Sequence, residues 1–128
     1  MILVDKTAKT LLEGVSNMMA GAKEDYIKMS QGVLKKELTG YAKEHVDNWD
    51  KNWDYKVGQK YIKVTRENGV FGFIMMKDYK HFKRGDILKA AGYNAPALNS
   101  ARGNVLTGNY YIQWTGPLYM DTKRRLRG

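Results

Sequence analysis

No cysteine occurs in this chain, and that absence removes disulfides, thiolate metal sites, iron–sulfur ligation and cysteine nucleophiles together. Histidine is scarce as well. His45 falls in a helical pattern and His81 in a loop, and neither is spaced to pair with a nucleophile or a second metal ligand. No apolar run nears the ~20 residues of a membrane span, and Met1 to Asp5 is too short for the apolar region of a signal peptide, so the chain reads as soluble and intracellular. Phosphate-binding loop, dinucleotide glycine fingerprint, nucleophile elbow and zinc spacing are all missing. Acids are thin in the second half, where Glu67, Asp78, Asp86 and Asp121 are too scattered for a carboxylate pair. Asp50-x-Asn52-x-Asp54 starts like a calcium loop, but Tyr55 stands where the turn needs glycine and Tyr61 where a bidentate glutamate is needed. The expectation is a binding protein with no catalytic residues, no metal and no cofactor.

What is present is core material and segregated charge. The 128 residues suit one domain, and 43% hydrophobic with 12% aromatic content is enough to fill its core. The net charge of +9 sits entirely in the second half. Residues 1–56 hold nine lysines against nine acids, whereas residues 57–128 hold seven lysines and six arginines against four acids. Such a field favours nucleic acid, nucleotides or an acidic protein.

Apolar residues recur at steps of three and four from Val4 through Leu11, Val15, Met18, Ala22, Tyr26 and Leu34 to Tyr41, which predicts helix. A break at Ala20-Gly21 gives helices near 5–20 and 23–46, with one long kinked helix as the alternative. Thr10-Leu11-Leu12-Glu13 matches a capping box inside that stripe. Beyond Gly58 the pattern turns to strands. Residues 60–65 and 70–76 flank Glu67-Asn68-Gly69, a hairpin signal, and Gly72 between two phenylalanines marks a bulge or a close approach. Further short strands are expected at 85–90, 103–106 and 110–114. The fold class is α+β: a helical segment over 1–46, then a five- or six-stranded antiparallel sheet over 57–120, then a basic tail over 121–128. A methionine-rich stripe longer than so short a sheet needs predicts a homodimer or a higher even-numbered assembly through the helices.

The candidate binding residues concentrate in the charged half. Phe71 and Phe73 offer flat faces on one strand, and strict alternation puts both on one side of it. Arg102-Gly103-Asn104 brings together a guanidinium fork, an accessible backbone and an amide, with Lys83 and Arg84 as further cations. Phe71 or Phe73 would stack a base, Arg102 with Lys83 or Arg84 would hold phosphate, and Asn104 would read an edge. On this reading Arg102 is exposed, and Arg102→Ala weakens ligand binding with little change in stability. Core packing for both phenylalanines, and a plain surface charge for Arg102, are the competing readings.

Gly85-Asp86-Ile87-Leu88-Lys89-Ala90-Ala91, Ala95-Pro96-Ala97, Ala101-Arg102-Gly103-Asn104-Val105 and Trp114-Thr115-Gly116 give the chain a resemblance to a group of small bacteriophage proteins. Through that group it resembles the phage anti-Thoeris sponge family, which sequesters cyclic ADP-ribose isomers made by bacterial TIR enzymes. The resemblance spans about residues 60–119. It departs from the group at Tyr93-Asn94, where a tryptophan is usual, and in a longer loop over 78–84. It implies capture of a small cyclic nucleotide without turnover, by an oligomer in the bacterial host cytoplasm. The alternative, resting on charge and aromatics alone, is a small basic nucleic-acid-binding protein whose Lys123-Arg124-Arg125-Leu126-Arg127 tail lies along phosphates.

Overall fold

Thr10 starts the long helix. Its side-chain oxygen accepts from the Glu13 amide at 3.1 Å, so the capping box is the true N-terminus of α1 (Leu11–Gln31). This computed structural model describes residues 1–32 and 36–118. Val33 and Leu34 of the apolar stripe, and the tail at 121–128, lie outside the described residues.

Helix α1 runs through Gly21 without a break, contrary to the expected division there. A side chain at Gly21 would meet Val4 Cγ2 at 2.6 Å, and one at Gly14 would meet Val105 at 2.7 Å. These two glycines, seven residues apart, let other segments press onto one side of the helix, and that packing offsets the ~1 kcal/mol each costs in propensity. The helical region breaks instead at Gly32 and Gly40, both at positive φ. Two short helices follow, α2 (Gly40–Asp47) and α3 (Trp49–Asn52). The residues before α1 are not helical: β1 (Ile2–Val4) pairs antiparallel with β8 (Tyr110–Ile112) near the other end of the chain.

Between them lie β2 (Trp53–Val57), β3 (Tyr61–Arg66), β4 (Gly69–Met75) and β5 (Ile87–Leu88), which form a four-stranded antiparallel sheet in that order. A ribbon of β6 (Ala90–Gly92) and β7 (Ala95–Pro96) completes the α+β architecture. The strands are thus shared among one sheet and two ribbons, and the expected strand at 103–106 is reduced to a single bridge between Asp86 and Asn104.

Helix α1 covers one face of the sheet. Val15, Met18, Met19, Ala22 and Tyr26 are buried against Ile62, Val64, Phe71, Ile74 and Ile87. Trp49 closes this core and donates from its indole to Met19 O at 3.1 Å. Met18 and Met19 are therefore used inside the protomer, while Leu12, Met29 and Tyr41 of the helical region are 40%, 51% and 76% exposed. On the opposite, outer face a second cluster forms from Phe73, Met75, Phe82 and Leu88. Among the described residues no helix is long and apolar enough to cross a membrane.

Candidate functional site

The bulge announced by Gly72 decides the fate of both phenylalanines. Val64 pairs with Gly72 but Thr65 pairs with Val70, so Phe71 is the extra residue and the alternation slips by one. Phe71 turns to the helix side and Phe73 to the outer side, and both are buried, Phe73 to 2% exposure. Their expected placement on one face, as open stacking surfaces, is corrected. Gly72 allows a close approach here, since an added Cβ would meet Leu88 O and the Pro117 ring at 3.1 Å each.

Arg102 is also corrected. It is 4% exposed, not a surface cation. Its Nε donates to Leu118 O at 3.0 Å, and its Nη1 donates to Asn99 Oδ1 at 2.6 Å and Ser100 O at 2.7 Å. Burial pushes the guanidinium below its ordinary value. Lys89 works beside it, donating to Pro117 O at 3.0 Å, and its ammonium is lowered first by burial and then by the Arg102 charge. Two cations that a sequence reader would offer to phosphate instead hold the carbonyls of residues 117 and 118.

Asn104 is similarly committed. Its Nδ2 donates to Arg84 O and Asp86 Oδ1 at 2.9 and 3.0 Å, while its Oδ1 accepts from the amides of Leu106 and Thr107 at 2.8 and 3.3 Å. Asp86 also receives the Lys83 amide at 2.9 Å, and Asp78 receives the Arg84 amide at 2.8 Å. Gly103 has φ +148 and lies so close to Tyr110 that a Cβ would overlap that ring. Tyr110 itself is buried, which raises its phenol above the ordinary value. The motif residues at 85–89, 102–104 and 116–118 are thus mutual scaffolding.

Gly103 and Asn104 do line an open cleft of about 530 Å³, together with Asp86, Thr107, Gly108 and Asn109. No lysine or arginine lines it and a carboxylate does, so its electrostatics oppose an anion. Lys83 and Arg84 are exposed on the 78–86 loop, outside that lining. The predicted constellation is therefore not brought together. Among the described arginines only Arg84 is exposed. Of the three described, Arg66 is held between the rings of Trp49 and Trp114, 5.0 and 5.5 Å from their centroids, and donates to His45 Nε2 at 2.9 Å.

Cations and aromatic faces meet elsewhere, on the outer side of the sheet. A groove of about 400 Å³ is lined by Lys56, Lys60, Lys63, Tyr61, Phe73 and Asn94, with Gly58 and Gln59 at the β2–β3 turn. No acid lines it. Lys56 on β2 lies directly across from Lys63 on β3, a like-charge pair that costs the sheet a few tenths of a kcal/mol or more. The groove floor is the T-shaped contact of Tyr61 with Phe73, centroids 5.8 Å apart. No family model, curated protein or solved structure matches the chain, so its functional reading rests on this geometry.

Tyrosines rim the groove. Lys63 Nζ sits 3.4 Å from the Tyr93 centroid and donates to Asn94 Oδ1 at 2.9 Å. Lys60 Nζ sits 4.0 Å from the Tyr79 centroid, with Lys80 Nζ 5.3 Å from the same ring. Cation–π attraction holds these ammonium groups against aromatic faces while leaving them wet, as Tyr93 is 60% exposed. None of the three groove lysines is in an ion pair with another described residue. Among the described residues no cluster of three or more metal-ligating side chains occurs.

Sequence reasoning missed Lys56, Lys60, Lys63, Tyr79, Tyr93 and Asn94. The signal was a lysine spacing of four and three with Tyr61 between, but it needs β2 to be recognised as a strand. Only then do Lys56 and Lys63 fall on one face.

Proposed function

We propose that this protein binds single-stranded nucleic acid along the outer face of its sheet, without turnover. The observation that carries the reading is the directly opposed Lys56–Lys63 pair, with Lys60 beside it and no acid in the groove. A fold that tolerates mutual repulsion there gains when an anionic chain relieves it. The exposed Tyr93 ring and the half-buried Tyr79 ring at the rim supply stacking surfaces that accept any base, and the open groove suits a strand passing through. The +9 charge adds long-range attraction.

Capture of a cyclic ADP-ribose isomer is the second reading, with the phage counter-defence role that the resemblance implies. What favours it is size: about 400 Å³ with an aromatic floor and the Asn94 amide falls in the range of small-ligand sites. Its residues would then be those of the groove, since Phe71 and Arg102 are committed to the interior.

Fluorescence anisotropy with a labelled oligothymidylate separates the two. Three phosphate contacts predict that log K falls with log salt with a slope of about −2. No change in anisotropy at low salt, together with heat released on adding cyclic ADP-ribose to the protein in a calorimeter, would discard the nucleic-acid reading in favour of the second.

A further inference from the structure

Among the described residues the sheet has one open edge. At the β5 end the edge is covered, because Ile87 donates to Gly103 O and accepts from the Arg102 amide, each at 2.8 Å. At the other end β2 has β3 on one side only. Which β2 groups face outward follows from the bonds at its two ends. Glu67 donates to Asn52 O at 2.6 Å and Gly58 donates to Tyr61 O at 2.8 Å. The even-numbered residues therefore bond inward to β3, and Trp53, Tyr55 and Val57 present their N–H and C=O to the free edge. In agreement, the outward Tyr55 amide is met by its neighbour's Asp54 Oδ1 at 2.8 Å. Tyr55 and Val57, on the helix side of β2, remain 41% and 50% exposed.

We propose that β2 pairs antiparallel with β2 of a second copy, about a two-fold axis at Tyr55. The argument is the self-complementarity of Trp53-Asp54-Tyr55-Lys56-Val57 in that register. Tyr55 faces Tyr55 of the partner subunit in a doubly hydrogen-bonded pair, as the outward groups require. Asp54 faces the partner's Lys56 on the outer side, and Trp53 faces the partner's Val57 on the helix side. Neighbouring registers that keep the hydrogen-bond phase fail on charge. Centring on residue 54 opposes two aspartates, and centring on residue 56 opposes two lysines. Like charges directly across a ladder destabilise it and opposite charges support it, so sequence selects one register of the three. Pairing exchanges the local Asp54 bond to the Tyr55 amide for an inter-subunit one and frees the carboxylate for Lys56. It also covers the exposed Tyr55 and Val57 and removes an unprotected edge. The two strands run on into one eight-stranded sheet, with both basic grooves on the same side.

Sedimentation velocity across the micromolar range tests the pairing, and charge exchange tests the register. Wild-type protein is expected to dimerise with rising concentration. Asp54→Lys alone and Lys56→Asp alone are each expected to weaken dimerisation at least about tenfold, through two repulsive contacts per dimer. An equimolar mixture of the two variants is expected to form a heterodimer, because both 54–56 contacts then become attractive. Tyr55→Pro removes only an outward N–H, so it is expected to leave the melting temperature near wild type while abolishing dimerisation. A wild-type monomer at every concentration, an Asp54→Lys variant that associates like wild type, or a mixture that fails to associate would each overturn the proposal.

Discussion

Arg102→Ala is expected to lower the melting temperature by roughly 10 °C or more, corresponding to a loss of about 3 kcal/mol. The side chain is buried and donates to Leu118 O, Ser100 O and Asn99 Oδ1. Deleting it strands the buried Leu118 O and unties the more exposed Asn99–Ser100 turn, and hydrogen bonds from a charged donor are the stronger kind. Arg102→Lys is expected to recover only part of the loss, since a point charge cannot reach the carbonyl of 118 and the 99–100 turn together. Thermal melts followed by circular dichroism measure both. A melting temperature within a degree or two of wild type for Arg102→Ala would show that residues 116–118 are held without it. This reverses the expectation of an exposed, stability-neutral arginine.

The second large effect concerns binding. The triple variant Lys56→Glu, Lys60→Glu and Lys63→Glu is expected to weaken oligothymidylate binding by about a hundredfold or more at low salt, since each phosphate contact contributes on the order of a kcal/mol and reversal adds repulsion. Its stability is expected to change little, because these side chains pair with no described acid and the reversal replaces one like-charge pair across the ladder, 56 against 63, by another. Lys83→Glu with Arg84→Glu, exposed but outside the groove, is the control and is expected to cost far less. Equal losses for the two sets in anisotropy titrations would mean that net charge alone, not the groove, drives binding.

What could be read in the sequence was local. Thr10 to Glu13 marks a helix start because the capping contact spans three residues, and Glu67-Asn68-Gly69 marks a hairpin because the turn geometry is set there. Gly72 announced its bulge correctly, yet the consequence for Phe71 and Phe73 was lost, because a bulge shifts the side-chain phase that simple alternation assumes. The β1–β8 ribbon was illegible for another reason. It joins Val4 to Tyr110, and nothing within either three-residue strand encodes so distant a partner. Gly21 was misread because propensity alone prices a helical glycine as a break, whereas here the bare Cα is what Val4 packs against. Arg102 was misassigned because charge implies solvent by default, and only the fold reveals that the carbonyls at 117 and 118 take Lys89 and Arg102 as donors. The groove stayed hidden because its lysines come from β2, the following turn and β3, and no strand before Gly58 was expected.

The most direct test of the central claim is a heteronuclear NMR titration of the protein with unlabelled oligothymidylate at low salt. Binding at the proposed face predicts the largest amide shifts at Lys56 to Lys63, Phe73 and Tyr93-Asn94, with the 101–109 cleft unaffected. Shifts centred on Gly103, Asn104 and Thr107 to Asn109, or none at all, would contradict it.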